Sequence, residues 1–255
     1  MKRTILTTAF LLTATSFNAI ANAENLEHTQ RLITTKQCQQ CDLSGAGLVL
    51  ADLGGASLSG SDLSRANLSR ANLRGADLSG ANLTGTSLYG ADLSGANLSG
   101  ATLNGTDLRD AYLVNAKLYG TTLNTSYVQG AIGIPEYAGT PEDFYAWGVS
   151  EAQRGNFRAA IEKFNQVLSI KPDFALAFLA RGVALYRLGN EAGATQDAQM
   201  AVAIFNSQGN TSGYQASQDF IKAMEIARKP PKSGGGSSIG NFIGSVGSLL
   251  LQLLF

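Results

Sequence analysis

From Leu43 to Leu123 a leucine stands at every fifth position without a break, and Val128 takes the next place. No single regular backbone can bury such a series. An α-helix advances about 100° per residue, so leucines five apart would step around it by roughly 140° and never share a face. A strand alternates faces with period two, so an odd spacing would send successive leucines to opposite sides. In the stretch ANLSRANLRGADLSGANL, residues 66 to 83, every five-residue unit must therefore do the same three things. It runs extended for a few residues, points one leucine inward and turns a corner, so the chain coils.

The other slots of the unit agree. Two residues before each leucine sits a small residue, beginning with Ala46, Ala51, Ala56, Ser61 and Ala66 and running to Thr121, Ser126 and Ala131. The slot between the two is polar, as in Asp52, Asp62, Asn67, Asn72 and Asp77, and the last slot is mostly Gly. Glycine tolerates the left-handed dihedrals of a corner. Four corners make a square turn of about 20 residues, and turns stack at the strand spacing of about 4.8 Å. Residues 41 to 131 then give about four and a half turns, a rod roughly 20 Å long. One outward column would hold Asp52, Asn72, Asp92 and Tyr112, another Ser57, Asp77, Asn97 and Lys117. Asparagine separates most aspartates in these columns and can hydrogen-bond along them, Asp42 over Asp62 being the exception.

These units resemble the A(D/N)LXX motif of the pentapeptide-repeat family. The resemblance implies a right-handed quadrilateral β-helix over 41–133 and says little about function. Family members that imitate DNA are acidic dimers. This coil sets Arg65, Arg70, Arg74, Arg109 and Lys117 against seven aspartates, so nucleic acid is not an expected partner. Toward the coil's end Tyr89, Arg109, Tyr112, Lys117 and Tyr119 replace blander residues. Tyr89 lies one turn beneath Arg109, close enough in register for a cation over a ring. This cluster is either a contact patch or the seam where the following domain packs.

An open coil end exposes strand edges and the leucine column, so it needs a cap. Residues 24–40 fill that place, with a short helix expected over 24–36 that carries Leu26, Leu32 and Ile33; His28 is read as a surface residue of this cap. The preceding segment, residues 1–23, has Lys2 and Arg3, an apolar middle and an Ala-Asn-Ala end, the pattern of a secretory signal peptide. Its removal would leave 255 − 23 = 232 residues with a formal charge of 17 − 19 = −2. Export is expected, and the resemblance to cyanobacterial pentapeptide proteins implies a periplasm or thylakoid lumen.

Cys38 and Cys41 are the two cysteines of the chain. Structural zinc takes about four protein ligands, and His28 is the one further soft candidate. Haem attachment would need a histidine where Asp42 stands, and a thioredoxin-type pair would need a βαβ setting that does not follow. Both cysteines fall on inward positions of the five-residue register. They either close a short disulfide or lie as buried thiols; no metal or cofactor is expected.

Beyond residue 140 the period changes to helical spacing, with breaks at Gly155-Asn156 and Gly189-Asn190. Gly148 and Gly182, Gly155 and Gly189, and Ala160 and Ala194 recur at an offset of 34 residues. These two helix hairpins over 141–208 resemble tetratricopeptide (TPR) repeats. They depart from the motif where Glu151 and Leu185 replace its tyrosine and Ala198 its second-helix aromatic. The fold class is therefore a right-handed quadrilateral β-helix followed by an α-helical TPR-like solenoid, with a capping helix over 212–229. The resemblance implies a groove lined by Tyr145, Val149, Leu176, Leu179, Val183 and Tyr186, with Arg187 at its edge. That lining is apolar and predicts an apolar peptide or helix as ligand.

A Pro/Gly/Ser linker over 230–238 leads to an apolar tail over 239–255, which ends in Leu249, Leu250, Leu251, Gln252, Leu253, Leu254 and Phe255. Seventeen residues are marginal for a bilayer, which needs about 20. The tail could associate with a membrane, bind a protein partner or fold back into the chain's own groove. The lone histidine leaves no Ser-His-acid arrangement available. The expectation is a non-catalytic exported scaffold for protein partners, with redox regulation through Cys38 and Cys41, or enzyme inhibition by surface mimicry, as alternatives.

Overall fold

The structure, a computed structural model, describes residues 16–228. Residues 1–15, most of the segment expected to be a signal peptide, and residues 229–255, with the expected linker and apolar tail, lie outside the described residues. The chain forms two compact units, which divide between Thr121 and Thr122.

The first unit opens with helix α1, Ser16–Thr35. It begins earlier than the expected cap helix because nothing from Ser16 to Thr35 is Gly or Pro, so no residue stops it before residue 24. Of the three apolar residues expected to seat the cap, Leu32 alone is buried; Leu26 and Ile33 are exposed. His28 is half-buried rather than superficial, and its Nδ1 accepts the Asp42 N–H at 3.1 Å, which ties α1 to the first turn of the coil.

The coil pairs residue i with residue i+20 throughout, from Gln37↔Ser57 to Asn97↔Lys117, every bridge parallel. It thus starts at Gln37, four residues before the expected boundary. From Leu43 to Leu98 the N–H of each inward leucine donates to the next turn, as Leu43 N–H to Asp62 O at 2.7 Å, and the polar slot donates back, as Asp62 N–H to Cys41 O at 2.8 Å. A bond across the corner, such as Ala46 N–H to Leu43 O at 3.0 Å, closes each bend. The leucine column and most of its small partners are buried. Asn72, Asn82 and Asn97 donate to Asp52, Asp62 and Asp77 one turn below at 2.8, 3.1 and 3.0 Å, so the polar columns are hydrogen-bonded ladders. The regular bridge is missing at Thr122, where the second unit begins.

Among the described residues of that unit a 3₁₀ turn, Glu136–Ala138, precedes five helices: α2 Pro141–Gln153, α3 Phe157–Ile170, α4 Ala175–Arg187, α5 Glu191–Ser207 and α6 Thr211–Arg228. A capping box between Thr140 and Asp143, with Pro at the first helical position, starts α2. Gly155 and Gly189, both at φ +81°, end α2 and α4 where the sequence breaks them. A third such break, Gly209-Asn210, separates α5 from α6. A Cβ on Gly148 would lie 2.6 Å from the Phe164 ring, so the first hairpin closes only because that residue has no side chain. Two apolar cores result, one around Phe164 and Val149, the other around Leu179, Phe205 and Phe220. Among the described residues no helix is long and apolar enough to cross a membrane.

Candidate peptide-binding site

Of the seven residues expected to line the helical groove, two are core. Val149 packs on Ala160, Phe164 and Ala180, and Leu179 lies in the second core at 1 % exposure. Tyr145 is held between rings, 5.9 Å from Phe164 and 5.3 Å from Phe174, and burial pushes its hydroxyl pKa up. Tyr186 meets the Phe220 ring edge-on at 6.0 Å, and Val183 packs on the same core. Arg187 is exposed and stacks over Phe157 at 4.8 Å. With so few repeats, the stripe that would face a groove in a longer array mostly completes the module's own packing.

Leu176 and Leu179 nevertheless come together at a concavity. One cavity of about 220 Å³ is walled by Leu176, Leu179, Phe205, Gly213 and Ala216. A second, of about 170 Å³, shares Leu176 and Phe205 with it and adds Phe174 and Ala175, with Lys171 among its polar wall residues. Asn210 belongs to both walls, and its Oδ1 accepts the Gly213 N–H at 2.8 Å, the cap that starts α6. A Cβ on Gly213 would stand 2.5 Å from the Phe205 ring, so this glycine lets α6 descend onto Phe205. The α6 contribution was missed in the sequence. Its signal was there: Ala216 lies 34 residues after Gly182, the offset that relates the two hairpins.

Glu151, noted in the sequence as a departure from the TPR motif, is 2 % exposed. Its carboxylate accepts the Gly130 N–H at 2.6 Å and the Asn156 side-chain amide at 2.9 Å. In the same unit the Gln166 amide donates to Ile134 O at 2.8 Å. The departure is thus a fastening of the segment before α2 to the helices. Lys163 is also buried, and burial lowers its pKa. Asp197, 5 % exposed, receives a two-pronged bond from Arg181 at 2.7 Å on each oxygen.

In the coil unit Cys38 and Cys41 are joined as a disulfide, and the Arg31 guanidinium of α1 donates toward both sulfurs. Arg109 stands 5.9 Å from the Tyr89 ring centre, one turn above it as the register predicts. Asp107 grips the same guanidinium at 2.8 and 2.7 Å, which raises the arginine's pKa and lowers that of the aspartate. Tyr112, Lys117 and Tyr119 are exposed. Among the described residues no group of three or more His, Cys, Asp or Glu side chains is placed to hold a metal ion.

The pentapeptide-repeat family model matches this chain in eight copies, over residues 37–74, 46–85 and 86–124, and a TPR-repeat model matches 148–189. Tetratricopeptide repeat protein 36 of Danio rerio is 33 % identical over 31 % of this chain and 42 % of its own length; the Mus musculus protein is 36 % identical over 32 % and 41 %. The chain therefore spans about two fifths of the length of the curated relatives it matches. Among solved structures, a pentapeptide repeat protein from the Arabidopsis thaliana thylakoid lumen is 34 % identical over 39 % of this chain and 63 % of that one, with a TM-score of 0.30. One from the cyanobacterium Cyanothece is 28 % identical over 43 % and 99 %, with a TM-score of 0.29. Residues 37–124 of the chain belong to the pentapeptide repeats and residues 148–189 to the tetratricopeptide repeats.

Proposed function

We propose that the protein is an exported, non-catalytic scaffold whose helical module holds an apolar peptide at the Leu176 concavity, while the coil offers a rigid docking surface. The observation that carries this reading is the pair of adjoining cavities with largely apolar walls between α4, α5 and α6. Each is smaller than the roughly 300–1,000 Å³ of a small-molecule site, and their size suits individual side chains of a peptide. Ladders fixed by 20-residue bridges make the coil a stiff surface suited to docking. Export rests on the signal-peptide pattern of residues 1–23, and a periplasm or thylakoid lumen on the resemblance to cyanobacterial pentapeptide proteins; the apolar tail 239–255 either tethers the protein to a membrane or is covered by protein.

The test is calorimetric titration of the full chain with leucine-rich peptides, repeated for Leu176→Asp. Binding that falls at least tenfold in the variant supports the assignment; equal binding places the site elsewhere. A second reading, redox regulation at the cap, draws on Arg31, whose charge beside Cys41 would favour a thiolate once the disulfide is reduced. A cap whose stability is unchanged by reductant would dispose of it.

A further inference from the structure

We infer that the resident of the Leu176 concavity is the chain's own terminal segment, Leu249–Phe255, so that the protein covers its binding site until a competing peptide displaces the segment. This rests on the reading that the concavity accepts apolar side chains. The walls provided by Leu176, Leu179, Phe205 and Ala216 are complementary to a segment in which six of seven residues are Leu or Phe. Left in water, such a segment would be an aggregation hazard, which gives the chain a reason to cover it.

Reach permits the return. The helix α6 ends at Arg228, while the cavity lies at its opposite end, at Ser212, Gly213 and Ala216. Sixteen residues of helix separate Ser212 from Arg228, about 24 Å at 1.5 Å per residue. Residues 229 to 248 number twenty and can extend to about 66 Å, so the segment returns with ample slack. Tethering makes the encounter intramolecular, at an effective concentration in the millimolar range, so even a weak contact is largely occupied.

The experiment uses the full chain with Ser212, an exposed wall residue, replaced by photoreactive p-benzoylphenylalanine. Irradiation should give an adduct within one chain, mapped by mass spectrometry to 249–255 and lost in the Leu250→Asp, Leu253→Asp variant. An adduct only between two chains assigns the concavity to a second copy, and no adduct leaves the segment elsewhere; either overturns the inference. Flotation with protein-free phosphatidylcholine vesicles at the expense of the adduct assigns the segment to the membrane and also overturns it. A labelled peptide reproducing 245–255 behind a polar extension separates this inference from the reading beneath it. Binding about tenfold tighter to the charged-tail variant than to the wild type is the expected result. Equal binding to both keeps the concavity as a peptide site but removes its resident. No binding to either removes the concavity itself.

Discussion

Leu50 sits in a corner that its neighbours Gly45 and Gly55 fill with glycine, at φ +59° and with 69 % of its surface exposed. The left-handed region costs an L-residue roughly 1–2 kcal/mol, and an exposed side chain returns little burial to offset it. Leu50→Gly should therefore stabilise the coil by about 0.5–1 kcal/mol after glycine's larger backbone entropy is counted, a rise of a few degrees in its thermal midpoint. Arg70 stands in the same kind of corner at φ +57° but lays its stem over Gly90, 3.4 Å from where a Cβ would be. Arg70→Gly should gain less than Leu50→Gly, and a larger gain would show that the stem contact is worthless. Glu151 is the opposite case, a single side chain that satisfies two donors from inside the module. Glu151→Leu should cost about 1–3 kcal/mol, because the Gly130 N–H is left without its partner, and a denaturant titration of the helical signal would show the loss.

Among the elements, the coil was legible in the sequence almost to the residue, because a strict period leaves each side chain one place to go. The helix pairs were legible from their Gly-Asn breaks. The concavity was not, for a physical reason: Val149 and Leu179 occupy positions that face a groove in a long array but close the core here, and α6 keeps the 34-residue offset with Ala216 where Gly148 and Gly182 stand in the two hairpins. The change at Thr122 was equally hidden, since the leucine period runs straight through it to Leu123 and Val128, and the bridge is missing at that one position before it returns at Tyr127 and Ile132. Two consequences follow at this scale. Gly148→Ala should destabilise the first hairpin by about 1–3 kcal/mol through overpacking against Phe164, visible as an earlier loss of helix. Replacing both Cys38 and Cys41 by Ala removes a crosslink that closes a four-residue loop and should cost about 2 kcal/mol by chain entropy. The loss should appear in the coil's transition, and an unchanged midpoint would refute it.

At the scale of the whole molecule, acid should act on the coil. Asp42 and Asp77 are held below the ordinary carboxylate range chiefly by hydrogen bonds from the serine two residues on, Asp52 by Lys36 and Asp107 by Arg109, while at Asp92 burial opposes bonds from Ser94 and Arg74 that prevail. All five lie in the first unit. An unfolded aspartate titrates near 3.9, above these folded values, so the unfolded coil takes up protons first. The stabilisation is present above about pH 5 and is lost as the pH falls from about 4 through the folded values. The coil's thermal midpoint should drop over that window, and Asp77→Asn should flatten the dependence; a midpoint indifferent to pH would remove the charge ladders from the account. The i to i+20 pairing also governs how such a coil can change length. Duplicating one circuit of twenty residues hands every side chain an equivalent neighbour, whereas deleting five between Asn72 and Asp92 would bring Asn97 over Asn72 and rotate every later column by a quarter circuit. The coil counts in fours, and length changes that keep the ladders intact are whole circuits.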